Sequence, residues 1–507
     1  MRFLRTYRLH HPANNSKLED IGFVFDNSYH REMSGFYTPW QGEAVANPQP
    51  IEVNYELGTE LGIDLSRTDE TTIAAFFSGG TEIPGAAPLA QVYAGHQFGH
   101  FNPQLGDGRA LLLGEVIDTL GNRRDIQLKG SGRTPFSRGG DGKSALGPVL
   151  REYLISEAMH RLGVPTTRAL VAMTTGESVR RETALPGGIL TRIASSHLRI
   201  GTFEFFAAQG KNKQVQQLAD YAIARHYPSL NETENPYLSL LEAVSNAQAE
   251  LVAKWMLLGF IHGVMNTDNC TISGETIDYG PCAFMDRYDP ATVFSSIDTQ
   301  GRYAYTNQPS IAVWNLSRLA DTLLPLINEN QDRAIEQATF VLQQFSERYF
   351  SHWLSGMRRK LGLTNQQDDD LALATDLLSS IEGQNADFTQ VFRSLSTAVE
   401  HSGATRSLLD NPNALDPWLA RWKSRLALND ADMIEARALM DANNPIYIPR
   451  NHKVEEALDA ATYHNNFGLF RTLLEITSSP YERRSGLEEY ETPAPLNRPP
   501  YRTFCGT

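Results

Sequence analysis

The segment 262-HGVMNTDNCTISGETIDYG-280 decides how the rest of the chain is read. His262 stands seven positions before Asn269, and Asp278-Tyr279-Gly280 closes the stretch. Between them, CTIS and TID alternate in polarity around Gly274-Glu275, the pattern of two short strands joined by a turn. Asn269 and Asp278 would then face one point from the two arms of a hairpin. Two hard oxygen ligands placed so suit Mg²⁺, which takes a few protein oxygens and completes its shell with phosphate and water. The nearly all-apolar run 247–264 predicts a buried helix that delivers this segment to the interior.

The order His, Asn, hairpin, Asp-x-Gly resembles the catalytic segment of protein kinases and their small-molecule relatives, with one difference. Those enzymes carry a catalytic Asp two residues after the His. Here that place holds Val264, which neither accepts a proton nor binds a metal. The nearest acid is Asp268, adjacent to Asn269. An Asp there can orient or deprotonate a hydroxyl held beside a metal. The competing reading is a turn residue, because N-T-D-N is rich in Asx-turn formers.

Upstream, strands are predicted over 109–118 and 125–129, joined by a turn at Gly121-Asn122. In the second, Ile126 and Leu128 face one way, and Gln127 and Lys129 the other. A helix is expected over 143–162, with Glu152 on a stripe shared with Ala145, Val149, Ser156 and Met159. A strand Lys paired to a helical Glu fixes a cation against phosphates; two surface charges that never meet are the alternative. Gly106-Asp107-Gly108-Arg109 precedes the first strand, where glycines let backbone N–H groups approach phosphate and Arg109 adds charge. Gly142-Lys143-Ser144 invites a Walker A assignment, but that pattern needs Gly where Ser137 stands, so it is rejected. Asp141 and Gly142 remain candidates for a nucleotide-contacting loop. Arg192 and Arg199, in LTRIASSHLRIGT, can clamp phosphate oxygens or make ordinary salt bridges.

The whole chain sets limits on these readings. It has 507 residues, with 45 Lys plus Arg against 59 Asp plus Glu, for a net charge of −14. Broad binding to nucleic acid or to anionic membrane is therefore not expected, whereas ATP needs only a local basic pocket. Three cysteines, Cys270, Cys282 and Cys505, form no disulfide framework and no zinc spacing, so a cytoplasmic location is expected. The apolar stretch 251–264 is too short to span a bilayer. The start, MRFLRTYRLHH, has no acid before Glu19, which admits an organellar leader beside the simpler reading of a basic arm. Along the chain we expect a wrapping segment over 1–90 with one short helix near 70–78. A strand-rich N-lobe over 91–200 follows, including a second β stretch near 166–193. The expected remainder is a helical C-lobe over 201–480 and a Pro-rich tail over 481–507. Strands first and helices second, with chemistry at the join, make an α+β, two-lobed kinase-like fold.

With these segments assembled, the chain resembles the selenoprotein O family of kinase-fold proteins. The resemblance runs from YAGHQFGHFNPQLGDGRA through QLKGSGRTPFSRGGDGKSALGPVLRE and HGVMNTDN…TIDYGP to NPIYIPRNHKVEEAL. It implies protein AMPylation: AMP passes from ATP to a Ser, Thr or Tyr hydroxyl of a protein, itself included among the acceptors, and pyrophosphate is released. UMP transfer with Mn²⁺ is linked to some bacterial relatives. The resemblance further implies an inverted ATP, with its γ-phosphate buried by basic residues. Gly106, Gly108, Arg109, Asp141 and Gly142 would contact the nucleotide, and Lys129 would pair with Glu152. Arg192 and Arg199 would hold the buried phosphates. Asn269 and Asp278 would bind Mg²⁺ or Mn²⁺, Asp278 also touching ATP, and Asp268 would be the base. A near-terminal redox residue is common in the family and Cys505 occupies that place. Its usual partner position aligns with Phe294, leaving Cys282 as the substitute. Two rival readings stand beside this one. A phosphotransferase like the aminoglycoside kinases is opposed by Val264. A silent nucleotide-binding scaffold is opposed by the complete set of Lys, Glu, Asn and Asp.

Overall fold

One antiparallel sheet organises the first half of the chain in the computed structural model, which describes residues 21–504. Its order is Tyr37–Pro39, Leu89–Gln91, Ala110–Ile117, Arg123–Lys129, Ala184–Ala194, Arg168–Arg180 and Gln49–Val53, with Ser144–Ala145 added against Ala184–Ala194. Pleating assigns the faces. Ile126 and Leu128 are fully buried in an apolar layer with Leu111, Leu113, Leu170 and Ile193. Lys129 and Gln127 therefore point to the opposite face. Arg192 pairs in register with Gln127 across the neighbouring strand, so it projects on that same side.

The helix Leu146–Arg161 covers this second face, burying Val149, Leu150, Tyr153 and Leu154. It begins three residues later than the sequence predicts. Ser144 and Ala145 are drawn into the sheet opposite Gly188 and Gly187, and a residue in a ladder cannot also open a helix. The helix Glu70–Phe77 lies where one was expected. Residues before 90 do more than wrap, however: Tyr37–Pro39 and Gln49–Val53 form the two ends of the sheet.

From Ile200 onward the described chain is predominantly helical. The long helix runs from Pro236 to Leu258, both earlier and shorter at its end than the apolar run implied. Asn235 caps it by accepting from Leu238 N, and Pro236 sits in its first turn. Gly259, in the left-handed region at φ 69°, ends it. The chain then forms a two-residue ladder, Phe260 with Phe284 and Ile261 with Ala283, which closes the base of the 262–280 segment.

Inside that base the expected hairpin does not form. Its two arms pair outward instead. Ile200 N donates to Cys270 O and Ile272 N to Leu198 O, while Thr276 N donates to Pro165 O and Thr167 N to Thr276 O. Polarity alternation marks residues willing to pair, but it does not name the partner. The long helix helps hold the loop, through Gln248 Nε2 to Thr271 O at 2.8 Å and Trp255 Nε1 to Thr276 Oγ1 at 3.0 Å. Among the described residues no helix is long and apolar enough to cross a membrane. Residues 1–20, which carry the basic-arm and leader readings, and Cys505 lie outside the described residues.

Gly201 welds three of these pieces together. Ala94 N donates to Gly201 O at 2.9 Å, and a Cβ on Gly201 would lie 2.1 Å from Ala94 O and 3.5 Å from Asp268 Cα. Backbone cannot retreat as a flexible side chain can. Gly201→Ala is expected to lower stability by about 1–3 kcal/mol, read as a lower urea midpoint at unchanged slope.

Candidate active site

Four charges meet where the sheet, the covering helix and the 262–280 segment converge. Lys129 Nζ lies 2.7 Å from Glu152 Oε2 and 2.8 Å from Asp278 Oδ1. Arg192 Nε binds Glu152 Oε1, and its Nη2 reaches Asp278 Oδ1 at 3.3 Å. The expected pairing of Lys129 with Glu152 is thus present, with Arg192 as a further member rather than a separate clamp. Burial alone would raise both carboxyls. The neighbouring cations outweigh it, holding Glu152 below and Asp278 far below the usual range. Both cations use Asp278 Oδ1, which leaves Oδ2 for another ligand. Asp278 adopts a left-handed backbone at φ 68°, a conformation uncommon outside glycine and accepted by Asp more readily than by most residues.

His262 fixes the loop that carries Asp278. It is buried, its Nε2 lies 3.0 Å from Ile277 O, and Val264 N donates to its Nδ1 at 3.4 Å. One donor and one acceptor nitrogen describe a neutral ring protonated at Nε2, and burial pushes its pKa down. His262 therefore holds shape and moves no proton.

Asp268 sits on the short turn Thr267–Asn269. Its Oδ2 accepts from Gln97 Nε2 at 3.2 Å, its backbone oxygen accepts from Arg199 Nη1 at 2.9 Å, and its Oδ1 is buried without a partner. Burial pushes its carboxyl up to about 6, although Arg199 pulls the other way. Asn269 donates Nδ2 to Val264 O at 3.1 Å, which leaves its amide oxygen as the free end. That oxygen and Asp278 Oδ2 are a hard-oxygen donor pair of the kind Mg²⁺ or Mn²⁺ accepts. No group of three His, Cys, Asp or Glu stands ready for a metal among the described residues, so further ligands would come from phosphate and water.

These residues line one cleft of about 680 Å³. Every candidate except Glu152 lies on its wall; Glu152 stands behind, holding Lys129 and Arg192. Eight lining residues are Lys or Arg and four are Asp, so the cleft is basic inside an acidic chain. Arg109, Arg138 and Arg180 make no ion pair among the described residues, which leaves three cations free for an anion. Arg199 stacks 4.3 Å over Tyr93 while it holds the Asp268 turn, so it positions Asp268 as well as lining the wall. Asp141 binds Arg181 at 2.8 Å and accepts from Lys143 N at 3.0 Å, bracing the loop. Gly142 is required there, since a Cβ would lie 2.0 Å from Gly132 O. The glycines at 106 and 108 serve packing too: a Cβ on either would strike Phe136, its ring at 2.4 Å and its carbonyl oxygen at 2.8 Å.

Gln97, Asn266, Arg138 and Arg180 escaped the sequence reading. Gln97, Asn266 and Arg138 lay in the quoted motifs with no role assigned, and Arg180 carries no local mark. Cys282 is buried and burial pushes its thiol up to about 12, which makes it a poor redox partner. Phe294 is buried against Tyr501 of the tail, and its oxygen accepts from Thr503 N at 2.8 Å.

A basic cleft with a braced Lys–Glu–Arg–Asp cluster and a buried carboxyl is the candidate site, and the class of protein that the comparisons define is nucleotidyltransferase. The chain belongs to the protein adenylyltransferase SelO family, whose family model matches residues 21–478. It is 58% identical to the protein nucleotidyltransferase YdiU of Cereibacter sphaeroides (strain ATCC 17025 / ATH 2.4.3) over 487 residues, 96% of this chain and 100% of the relative. A protein nucleotidyltransferase YdiU of Rhizobium leguminosarum bv. trifolii is 54% identical over 488 residues, covering 96% of this chain and 97% of its own length.

The raised carboxyl of Asp268 has a measurable cost. A free Asp titrates near 3.9, so between pH 4 and about 6 the folded chain holds a proton that the unfolded chain has released. Stability must fall as pH rises through that window, and the deficit persists above it. In EDTA, Asp268→Asn is expected to gain about 2–3 kcal/mol at pH 8 and almost nothing at pH 4. Urea titrations at the two pH values check this.

Proposed function

We propose that the protein transfers AMP from ATP to Ser, Thr or Tyr hydroxyls of proteins, its own among them, and releases pyrophosphate. The observation that carries this reading is the displacement of the acid. Val264 fills the place of a kinase base, while Asp268 lines the cleft with a carboxyl of which one oxygen has no hydrogen-bond partner. In this reading residues 91–200 and 201–480 act as the two lobes of a kinase-like fold. Residues 1–90 wrap them and 481–507 form a tail.

ATP lies inverted along the basic wall. Arg192, Arg199 and Lys129 face the inner phosphates, and Arg109 offsets charge nearer the opening. Gly106, Gly108, Asp141 and Gly142 shape the nucleotide contact. Asn269 and Asp278 would hold the metal, and a bound Mg²⁺ or Mn²⁺ would supply charge that stabilises the phosphate oxygens in the transition state. The acceptor hydroxyl oxygen attacks the α-phosphorus and its proton passes to the Asp268 carboxylate. The bond from the α-phosphorus to the bridging oxygen breaks, and pyrophosphate leaves with that electron pair. Glu152 takes no part in bond making. It keeps Lys129 and Arg192 in place when ATP is absent.

ATP labelled on the α-phosphate should leave label on protein, and ATP labelled on the γ-phosphate should not. Asp278→Ala should abolish transfer. Asp268→Asn should keep ATP affinity within about threefold while losing roughly 10²–10⁴ in rate, the usual worth of a positioned base. Label from the γ-phosphate alone would establish phosphotransfer instead, and full transfer by Asp268→Asn would remove the assigned base.

A further inference from the structure

One arginine beside the Asp268 turn, Arg302, has no carboxylate partner among the described residues. Arg302 makes no salt bridge among the described residues; its side chain reaches the Tyr303 hydroxyl, and its Nε is buried without a hydrogen-bond partner. Its guanidinium lies 4.7 Å from the ring centre of Trp314 and 5.8 Å from that of Tyr303. Arg318 stands 5.3 Å from the same indole, so two cations share one ring. Nearby carboxylates are occupied. Asp321 binds Arg318 at 3.1 Å, Glu204 holds His96 and Thr267, and Asp298 accepts the backbone N–H groups of Arg302 and Tyr303. A guanidinium laid on an aromatic face with donors to spare is preorganised for a carboxylate.

Its location gives that carboxylate an owner. Arg302 covers the turn between the strands Gly95–Gln97 and His100–Asn102, where a Cβ on Gly99 would lie 3.6 Å from Arg302 Cζ. Two residues before Gly99, Gln97 binds Asp268. Phe98 N donates to both Asn266 Oδ1 and Tyr303 Oη, at 3.1 and 3.2 Å. Gln97 and Phe98 line the nucleotide cleft, whereas Arg302 does not. It stands at the rim, against Gly99, the residue that follows the cleft-lining Phe98.

We infer that Arg302, laid on Trp314, binds a carboxylate of the acceptor protein two or three residues from the hydroxyl that receives the nucleotide. This rests on the transfer reading above. Extended chain advances about 3.4 Å per residue, so two or three residues span roughly 7–10 Å. With a net charge of −14, the chain repels acidic segments over most of its surface. One unpaired arginine at the rim therefore sets register instead of attracting acid generally.

The test uses paired peptides with a single Ser, Thr or Tyr, carrying either Glu or Gln two and three residues away, and ATP labelled on the α-phosphate. The full-length protein should favour the Glu peptide at least 10-fold in kcat/KM. Arg302→Gln should bring that ratio near one by raising KM for the Glu peptide, with ATP affinity unmoved, and Arg302→Lys should restore part of it. Equal use of both peptides by the unaltered protein, or a preference that survives Arg302→Gln, overturns the inference. So does self-labelling without labelling of any peptide. If α-label enters no protein at all, the transfer reading has failed and this inference falls with it.

Discussion

Asp278 is the charge on which the site depends. Its oxygen joins Lys129 from the sheet and Arg192 from the next strand, and both cations are tied behind by Glu152 on the covering helix. A buried ion group of this kind is weak evidence for stability, because desolvation offsets most of the Coulomb gain. Its worth lies in what removal of one member would do. Deleting one partner strands the others at a cost of about 3–5 kcal/mol, so the cluster behaves as a unit that fixes strand, helix and loop in one geometry.

The same economy governs the approach of backbones. Gly142 lies against the oxygen of Gly132, Gly201 against that of Ala94, and Gly106 and Gly108 against Phe136. Where the Gly-rich stretches look from sequence like phosphate cradles, the structure gives them a prior duty in bringing loops within touching distance. Once they are there, Arg109, Arg138 and Arg180 face the cleft without carboxylate partners. Unspent positive charge inside an acidic chain calls for an anion.

Sequence reading succeeded where a residue's role follows from local pattern. Lys129 had to share a face with Gln127 because strands alternate, and Glu152 had to share a helical stripe with Val149 and Met159. It failed where the partner is remote. The arms of the 262–280 segment alternate as a hairpin would, yet they pair with residues 198–200 and 165–167. Lys143, apt to begin a helix, gave way because Ser144 and Ala145 entered the sheet. Gln97 and Asn266 carry no local mark at all; only packing against Asp268 and Phe98 gives them work.

From the residues alone came the order of the parts: a strand lysine, a helical glutamate, a loop with Asn269 and Asp278, and an acid displaced from 264 to 268. These are set by periodicity and spacing, which the chain carries along its length. Tertiary structure alone decided which charges meet and which stay free. That Arg192 joins the Lys129 cluster, that Asp268 keeps one oxygen unpartnered, and that Arg302 lies on Trp314 without a carboxylate all depend on contacts between distant segments. Desolvation and pairing are properties of a place, and no place exists until the chain has folded.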